Sequence, residues 1–399
     1  MIKEIKTCEV CDNSKLHQVL DLGKHPLCDD LIPISESIEN ETYPIVILFC
    51  KNCKTAHQKY QVLKNVLFPQ QYHYRSRFTN DVLNGMKLLS SEVQSYYSSL
   101  EGKKVLDIGC NDGSLLNFFK SLGATTIGVE PTSAFNDIDL LKHNCYNEYF
   151  DSDISKKIFL EYGKVDVITF TNVFAHIDDL NGLINALKIL MDDNTLIVIE
   201  NHYLGSVIEG NQFDTFYHEH PRTYSLESFV KIAEKLERKI VKAKFPKRYG
   251  GNIQIFMGKS ESEEINLNDV IKSEKDFYSS FEKMNDHINN WIHSKNKQLV
   301  QIFKTHGKIK AKAFPGRAAI LIQLLNLNEE MIEAVYEKTG SIKIGNFVPG
   351  TKIQIKSDEE LFETIESEDY IVNFAWHIDK EIEDYLRLKG FRGELINIH

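Results

Sequence analysis

Lys104-Val-Leu-Asp-Ile-Gly-Cys-Asn-Asp-Gly-Ser-Leu-Leu116 decides how this chain is read. Val105 to Ile108 is a short apolar run suited to a buried parallel strand. Gly109 and Gly113 punctuate a tight turn, and Ser114 to Lys120 continues with helical spacing. Glycines let a backbone approach a ligand closely, and the N-terminus of the following helix offers unpaired N–H groups. Asp107 and Asp112 flank the loop. Two carboxylates there repel a pyrophosphate and suit a cation or a hydroxylated ligand. The next apolar run, Thr125-Thr-Ile-Gly-Val-Glu130, ends in a carboxylate about 20 residues beyond Asp107, where a doubly wound fold places the acid that grips ribose hydroxyls. The loop therefore points to S-adenosylmethionine, with Asp107, Gly109, Asn111, Asp112, Gly113 and Glu130 as candidate cofactor residues. An ordinary strand-to-helix turn is the competing reading.

Strand and helix continue to alternate as far as residue 259. Val165-Asp-Val-Ile-Thr-Phe-Thr-Asn172 and Thr195-Leu-Ile-Val-Ile-Glu200 are continuous apolar runs ending in polar residues, with a helical segment from Leu180 to Leu190 between them. Open parallel sheets bind ligands at the carboxyl ends of their strands, so Asn172, His176 and Glu200 are expected at the rim, Asn172 beside the cofactor. A solitary His176 serves structure as readily as function. Arg248-Tyr-Gly-Gly251 permits a close turn before a last strand at Asn252-Ile-Gln-Ile-Phe-Met257. Upstream, Asp81 to Leu100 has the spacing of an amphipathic helix leading into the strand at Lys104.

The densest ionisable cluster lies in Phe213-Asp-Thr-Phe-Tyr-His-Glu-His-Pro-Arg-Thr-Tyr224. His218 and His220 are two apart with Glu219 between them, which lacks the one-face i, i+4 geometry of a helical zinc site. Acid–base chemistry suits the group better. A histidine titrates near neutral pH, a neighbouring carboxylate can orient it, and tyrosine can donate to a developing oxyanion. A solvated polar loop is the plain alternative. Farther upstream, Phe68-Pro-Gln-Gln-Tyr-His-Tyr-Arg-Ser-Arg-Phe-Thr79 offers phenols at Tyr72 and Tyr74 and guanidinium groups at Arg75 and Arg77. These donors suit sugar hydroxyls or phosphate, and a surface connector with aromatic packing reads equally well.

Residues 1 to about 60 carry Cys8-Glu-Val-Cys11 and Cys50-Lys-Asn-Cys53. Each pair can aim two thiolates at one point, and two pairs make the tetrahedral sulfur cage that Zn2+ takes in structural sites. The separation of the pairs exceeds the usual ribbon spacing, so a segment loops out between the knuckles. Four thiolates close the shell, which makes the metal architectural. Cys28 reads as a buried small side chain and His57 as a surface residue just past the site.

The chain has 399 residues, 42% hydrophobic and 26% charged, enough for two or three domains with cores of their own. Its formal net charge of −10 argues against non-specific binding to nucleic acid. The opening residues lack a charged-then-apolar leader and no apolar run approaches bilayer length, so a cytoplasmic location without membrane contact is expected. Seven cysteines without a secretion signal fit reduced thiols or metal ligands better than disulfides. Residues 260 to about 306 read as a bridging helix, with Phe277, Phe281, Met284, Ile288 and Ile292 at helical spacing. From Lys308 onward a second α/β unit is expected. Its Ser341, Lys343, Pro349-Gly-Thr351 and Trp376-His377 would hold an anionic or sugar portion of a substrate, or serve structure.

Several motifs coincide with one family. They are the four cysteines, the Tyr-x-Tyr segment at Tyr72, Leu106-Asp-Ile-Gly-x-Asn-Asp-Gly113, Gly128-Val-Glu-Pro131, Asn172-Val-Phe-Ala-His-Ile-Asp178, Phe213-Asp-Thr-x-Tyr-His-Glu-His220, Gly250-Gly251, and the Pro-Gly-Thr and Ala-Trp near the C-terminus. On these the chain resembles the bacterial nucleotide-sugar C-methyltransferases. The resemblance implies an α/β architecture: a class I methyltransferase doubly wound sheet (71–260), preceded by a zinc-binding module (1–70) and followed by a bridging helix (261–305) and a Rossmann-like domain (306–399). It also implies methylation of a nucleotide-linked ketosugar at a carbon beside the ketone. His220 would be the base with Glu219 beside it, and Tyr217, His176 and a tyrosine of the Tyr72/Tyr74 pair would line the sugar. Arg77, Pro221-Arg-Thr, Ala313-Phe-Pro-Gly-Arg317 and His377 depart from the family pattern near the sugar and nucleotide sites. The resemblance thus fixes the cofactor and leaves open the sugar, the nucleotide and the methylated atom. A sugar O-methyltransferase on the same scaffold is the second reading, and a zinc-ribbon nucleic-acid-binding protein, disfavoured by the net charge, is the third. The sequence leaves oligomeric state open, a monomer included.

Overall fold

The quoted stretch folds as the strand Lys104–Ile108 and the helix Ser114–Ser121, at the centre of a seven-stranded sheet. The computed structural model describes residues 2–67, 75–259, 267–365 and 369–399. Across the sheet the strands run Lys239–Lys244, Asn252–Gly258, Leu196–His202, Val167–Thr171, Lys104–Ile108, Thr125–Val129 and Asn144–Tyr146. Only Asn252–Gly258 runs antiparallel to its neighbours. Side chains alternate between the faces of a strand, which explains why these runs are apolar throughout. Leu106, Ile108, Ile168, Phe170, Ile197 and Ile199 enter the core on one face, and Val105, Val167, Leu196 and Val198 the core on the other. The helices Asn80–Tyr97 and Ser114–Ser121 cover the second face, and Ser152–Tyr162 and Leu180–Leu190 the first. The lysine-rich edge strand Lys239–Lys244 had no signal in the sequence reading. Its three lysines leave little apolar pattern and suit an edge exposed to water.

The N-terminal residues form an antiparallel sheet of His17–Pro26, Thr42–Phe49 and Ala56–Gln58, which supplies the loop-out between the cysteine pairs. Its fourth strand, Arg222–Thr223, comes from the histidine-rich segment of the central unit. The C-terminal unit is a five-stranded parallel sheet ordered Ile355–Ser357, Ile332–Glu337, Ile309–Lys312, Tyr370–Asn373 and Glu394–Asn397.

The expected bridging helix spans Phe277–His306, preceded by a separate short helix, Asn268–Ser273. It buries Phe277, Phe281, Met284 and Ile288, the apolar stripe seen in the sequence. Phe281 packs 5.6 Å from Phe49 and 6.1 Å from Phe216, ring centre to ring centre, and Trp291 donates to the Ile398 carbonyl at 2.9 Å. One helix thereby touches all three units. Among the described residues no helix is long and apolar enough to cross a membrane.

Candidate active site

Gly109 holds φ at +72°, and a Cβ built on it would meet Val173 Cγ2 at 2.5 Å. Only glycine lets this loop lie against the turn that begins at Asn172. Asp112 Oδ1 accepts from the Ser114 N–H at 3.2 Å and from its hydroxyl at 2.6 Å, fixing the loop to the helix it opens. Glu130 accepts from the Asn111 N–H at 2.9 Å through one oxygen, and from the Thr132 N–H (2.9 Å) and hydroxyl (2.6 Å) through the other. Asp107 accepts from the Thr169 hydroxyl at 2.7 Å. Burial, with Glu130 adding to it, pushes the Asp107 carboxyl up to about 7.

Asp107, Gly109, Asn111, Glu130 and Asn172 line a cavity of about 1320 Å³, with Gly113 and Asp112 shaping the loop behind them. Among the described residues neither Asp107 nor Glu130 has a cationic partner. Two enclosed carboxylates without a cation fit S-adenosylmethionine, which carries positive charge and ribose hydroxyl donors. Asn172 takes φ of +55° and its Oδ1 accepts from Asn252 Nδ2 at 3.2 Å, which presents the start of the next turn to the cavity. Glu200, expected at the rim, is instead neutralised within the sheet. Arg248 pairs with it, and Asn252 and Gln254 donate to it at 2.9 and 2.8 Å.

The same cavity is lined by His176, Asn201, His202, Tyr217, Glu219 and His220. The ring of His220 lies 5.0 Å from His176, 5.3 Å from His202 and 4.2 Å from Tyr217, centre to centre. His202 went unmarked in the sequence reading, and its one signal was position, two residues past Glu200 at a strand end. His220 Nδ1–H donates to the Thr215 carbonyl at 3.0 Å, and a carbonyl can only accept, so the lone pair resides on Nε2. Burial, reinforced by His176 and His202, holds this imidazole well below the usual histidine range and keeps it neutral. The neighbouring carboxylate does not orient it, contrary to the sequence expectation. Glu219 contributes its backbone carbonyl, 2.7 Å from His176 Nδ1, and burial pushes its carboxyl well above the usual range. Burial likewise raises the Tyr217 phenol, which stays protonated as a donor. Tyr72 and Tyr74 lie outside the described residues. Arg75 and Arg77 line the cavity but pair with Asp137.

The segment 213–224 is gripped from both sides. On one, Gln58 Nε2 donates to the Phe216 carbonyl at 2.8 Å, the Gln58 N–H to the Pro221 carbonyl at 2.9 Å, and His218 Nε2–H to the Tyr43 carbonyl at 3.0 Å. Arg222, wholly buried, pairs with Glu9 and donates to the Ile177 carbonyl and to the Tyr224 hydroxyl. On the other side, Arg317 clasps Asp214 with two hydrogen bonds of 2.8 and 2.7 Å and donates to Thr215 Oγ1 at 2.6 Å, while Trp376 Nε1 donates to Asp214 at 2.9 Å. Burial works to raise the Asp214 carboxyl, and Arg317 outweighs it, leaving Asp214 below the usual carboxylate range. Ser341, Lys343 and His377 also line the cavity. Pro349-Gly-Thr351 does not belong to that wall; the Gly350 N–H donates to Asn40 Oδ1 at 2.7 Å and joins the C-terminal unit to the N-terminal one.

Cys8, Cys11, Cys50 and Cys53 bring their sulfurs within 4.8 Å of one another, with Cys8 and Cys53 3.4 Å apart and Cys11 and Cys50 3.6 Å apart. A tetrahedron with Zn–S bonds of about 2.3 Å has edges near 3.8 Å, so these four thiolates fit Zn2+. Asn52 Nδ2 lies 3.2 Å from Cys11 and Thr55 Oγ1 3.0 Å from Cys53, donors that favour charged sulfur. His57 is not the surface residue expected. It is wholly buried, with Nε2 3.3 Å from Cys8 Sγ, because the strand Ala56–Gln58 is covered by Arg222–Thr223.

Three families match in tandem: a zinc binding domain over residues 8–68, a methyltransferase domain over 86–243 and a C-methyltransferase C-terminal domain over 247–396. Across 96% of this chain and 93% of the relative, the sequence is 24% identical to the C-methyltransferase NovU of Streptomyces niveus. It spans about half (52%) of the ubiquinone biosynthesis O-methyltransferase of Pasteurella multocida, 30% identical over 29% of this chain. The structure of magnesium protoporphyrin IX methyltransferase from Synechocystis PCC 6803 with bound SAM is a remote likeness, 14% identical, covering 44% of this chain and 80% of that one at a TM-score of 0.34. With matched domains along almost its whole length and a four-thiolate cage in the first of them, the chain carries in tandem the zinc binding, methyltransferase and C-terminal domains of a C-methyltransferase.

Proposed function

We propose that this enzyme methylates a nucleotide-linked ketosugar at the ring carbon beside the ketone. The reading is carried by one observation: a neutral, oriented histidine shares its cavity with the buried carboxylates of the cofactor wall. A carbon next to a ketone becomes nucleophilic only after losing a proton. His220 Nε2 accepts that proton, and the Thr215 carbonyl, by taking the Nδ1 proton, leaves Nε2 as the basic atom. As negative charge moves onto the ketone oxygen, the Tyr217 phenol supplies a hydrogen-bond donor, with the Glu219 carboxyl, raised by burial, lining the same cavity, and His176 holds one side of the sugar. S-adenosylmethionine, when bound by Asp107, Glu130 and the glycine loop, supplies an electrophilic methyl group. A positioned base contributes about 10²- to 10⁴-fold and each oxyanion donor about 3 kcal/mol, so the reaction needs both.

Mass spectrometry of methyl transfer across a panel of nucleotide ketosugars tests the substrate, and deuterium exchange at the carbon beside the ketone tests the base. His220→Ala is expected to lose exchange and transfer by about 10²- to 10⁴-fold while still binding S-adenosylhomocysteine. Exchange that persists in this variant would remove His220 as the base.

A further inference from the structure

On the cavity wall beside His220 the protein leaves enclosed polar atoms unsatisfied. Asn201 and His202 stand at the carboxyl end of the strand Leu196–His202, and His377 reaches the same cavity from the C-terminal unit. Both side-chain amide atoms of Asn201, Nδ1 of His202 and Nδ1 of His377 are enclosed and have no hydrogen-bond partner among the described residues. Asn201 is only 1% exposed. Native proteins retain few such atoms, and a group of them in a ligand cavity marks where polar groups of the ligand sit. Charged side chains nearby are already engaged, Arg317 on Asp214 and Thr215, and Lys343 on the Phe314 carbonyl at 2.6 Å.

We propose that Asn201 and His202, with His377 opposite, form a subsite for free hydroxyl on the sugar carbon adjoining the reacting centre, so that the substrate is a hydroxylated and not a deoxygenated ketosugar. This rests on the reading that a ketosugar reacts at His220. An amide and a neutral imidazole each present a donor and an acceptor, and a hydroxyl both donates and accepts. A phosphate or carboxylate only accepts and would leave the acceptors unmatched; a CH2 group would leave every one of these atoms unmatched. Burial, foremost among the causes, pushes His202 down to about 3 and His377 to about 4, so these two imidazoles offer an anion no positive charge at neutral pH. The 5.3 Å between the His202 and His220 rings places His202 within one sugar ring of the proton His220 takes.

The test compares two nucleotide ketosugars that differ only in bearing hydroxyl or hydrogen next to the reacting carbon. They are assayed with the wild-type enzyme, Asn201→Ala, His202→Ala and His202→Gln, with S-adenosylhomocysteine binding and thermal unfolding as fold controls. The wild type is expected to favour the hydroxylated sugar. Asn201→Ala and His202→Ala should each lower kcat/KM for that sugar by about 10- to 100-fold, change the deoxy sugar by less than about threefold, and keep proton exchange. His202→Gln, which retains hydrogen-bonding capacity, should recover part of the loss. Equal losses on both sugars, or no loss in any variant, would overturn the subsite while leaving the reaction standing. Transfer by the wild type to neither sugar would overturn the reaction and the subsite together. If His202→Ala does not fold, Asn201→Ala decides.

Discussion

On the cofactor wall the polar groups are tied within the central unit, Asp112 and Glu130 to near neighbours in the chain, Ser114, Thr132 and Asn111, and Asp107 to Thr169 on the adjacent strand. On the substrate wall the segment 213–224 is tied to Glu9, Tyr43, Gln58 and Arg317, with separations from 102 to 213 residues. The first wall is a property of the central sheet, whose neighbouring strands add Thr169 to Asp107 and Asn252 to Asn172. The second exists only when the zinc module and the C-terminal unit both dock onto the central sheet. On the proposed function, the binding of the methyl donor and the positioning of the base are structurally separate.

The severest way to break that contrast is to remove the zinc module's cage. Cys53→Ser, or chelation of the metal, should release the strand Ala56–Gln58 and with it Arg222–Thr223, because structural zinc supplies about 10–16 kcal/mol of apparent folding free energy in small domains. Methyl transfer should fall by more than about 100-fold, while isothermal titration still detects S-adenosylhomocysteine. Loss of both functions together would show that the walls are not independent. Next in size, Arg317→Ala strands the buried Asp214 without its partner and should destabilise the protein by about 3–5 kcal/mol, read from chemical denaturation. Glu130→Ala acts on the other wall alone. It should weaken S-adenosylhomocysteine binding by about 10- to 100-fold and leave the positioning of His220 as it was, with titration calorimetry and proton exchange as the readouts.

The smallest expected effect is that of pH. His176, His202, His218, His220 and His377 are all pushed by burial below the ordinary value of 6.5. Below that value the unfolded chain binds more protons than the folded one, so the stability these imidazoles confer is complete above pH 6.5. It is lost as pH falls towards about 4 for His218 and His377 and about 3 for His202. Asp107 and Glu219 work oppositely, since their raised carboxyls hold protons in the folded state that the unfolded state has released. The imidazoles outnumber them, so Tm should decline between pH 7 and pH 5, measured by differential scanning fluorimetry. A Tm that rises over that interval would mean the carboxyls dominate.

The same division governs how much could be read without coordinates. The strand at Lys104, the glycine turn, Glu130 after the second strand and the paired cysteines were legible because each depends on residues close together in sequence. Glu200 misled because its position at a strand end was visible, whereas its partners Arg248, Asn252 and Gln254 come from a later hairpin. His57 misled because the strand that buries it comes from residues 222–223. His202 stayed hidden because nothing in its neighbours says that its ring lies against His220.

By itself the sequence determined the doubly wound sheet, its strand–glycine turn–helix unit and the sulfur cage, since hydrophobic periodicity, glycine conformation and short ligand spacing are set by local covalent geometry. Only the tertiary structure decided which histidines meet, which arginines neutralise Asp214 and Glu200, and which polar atoms are left open for a substrate. Those outcomes depend on contacts between separate elements of the chain, 48 residues apart for Arg248 and Glu200 and 103 for Arg317 and Asp214, and on the burial that removes water from both partners.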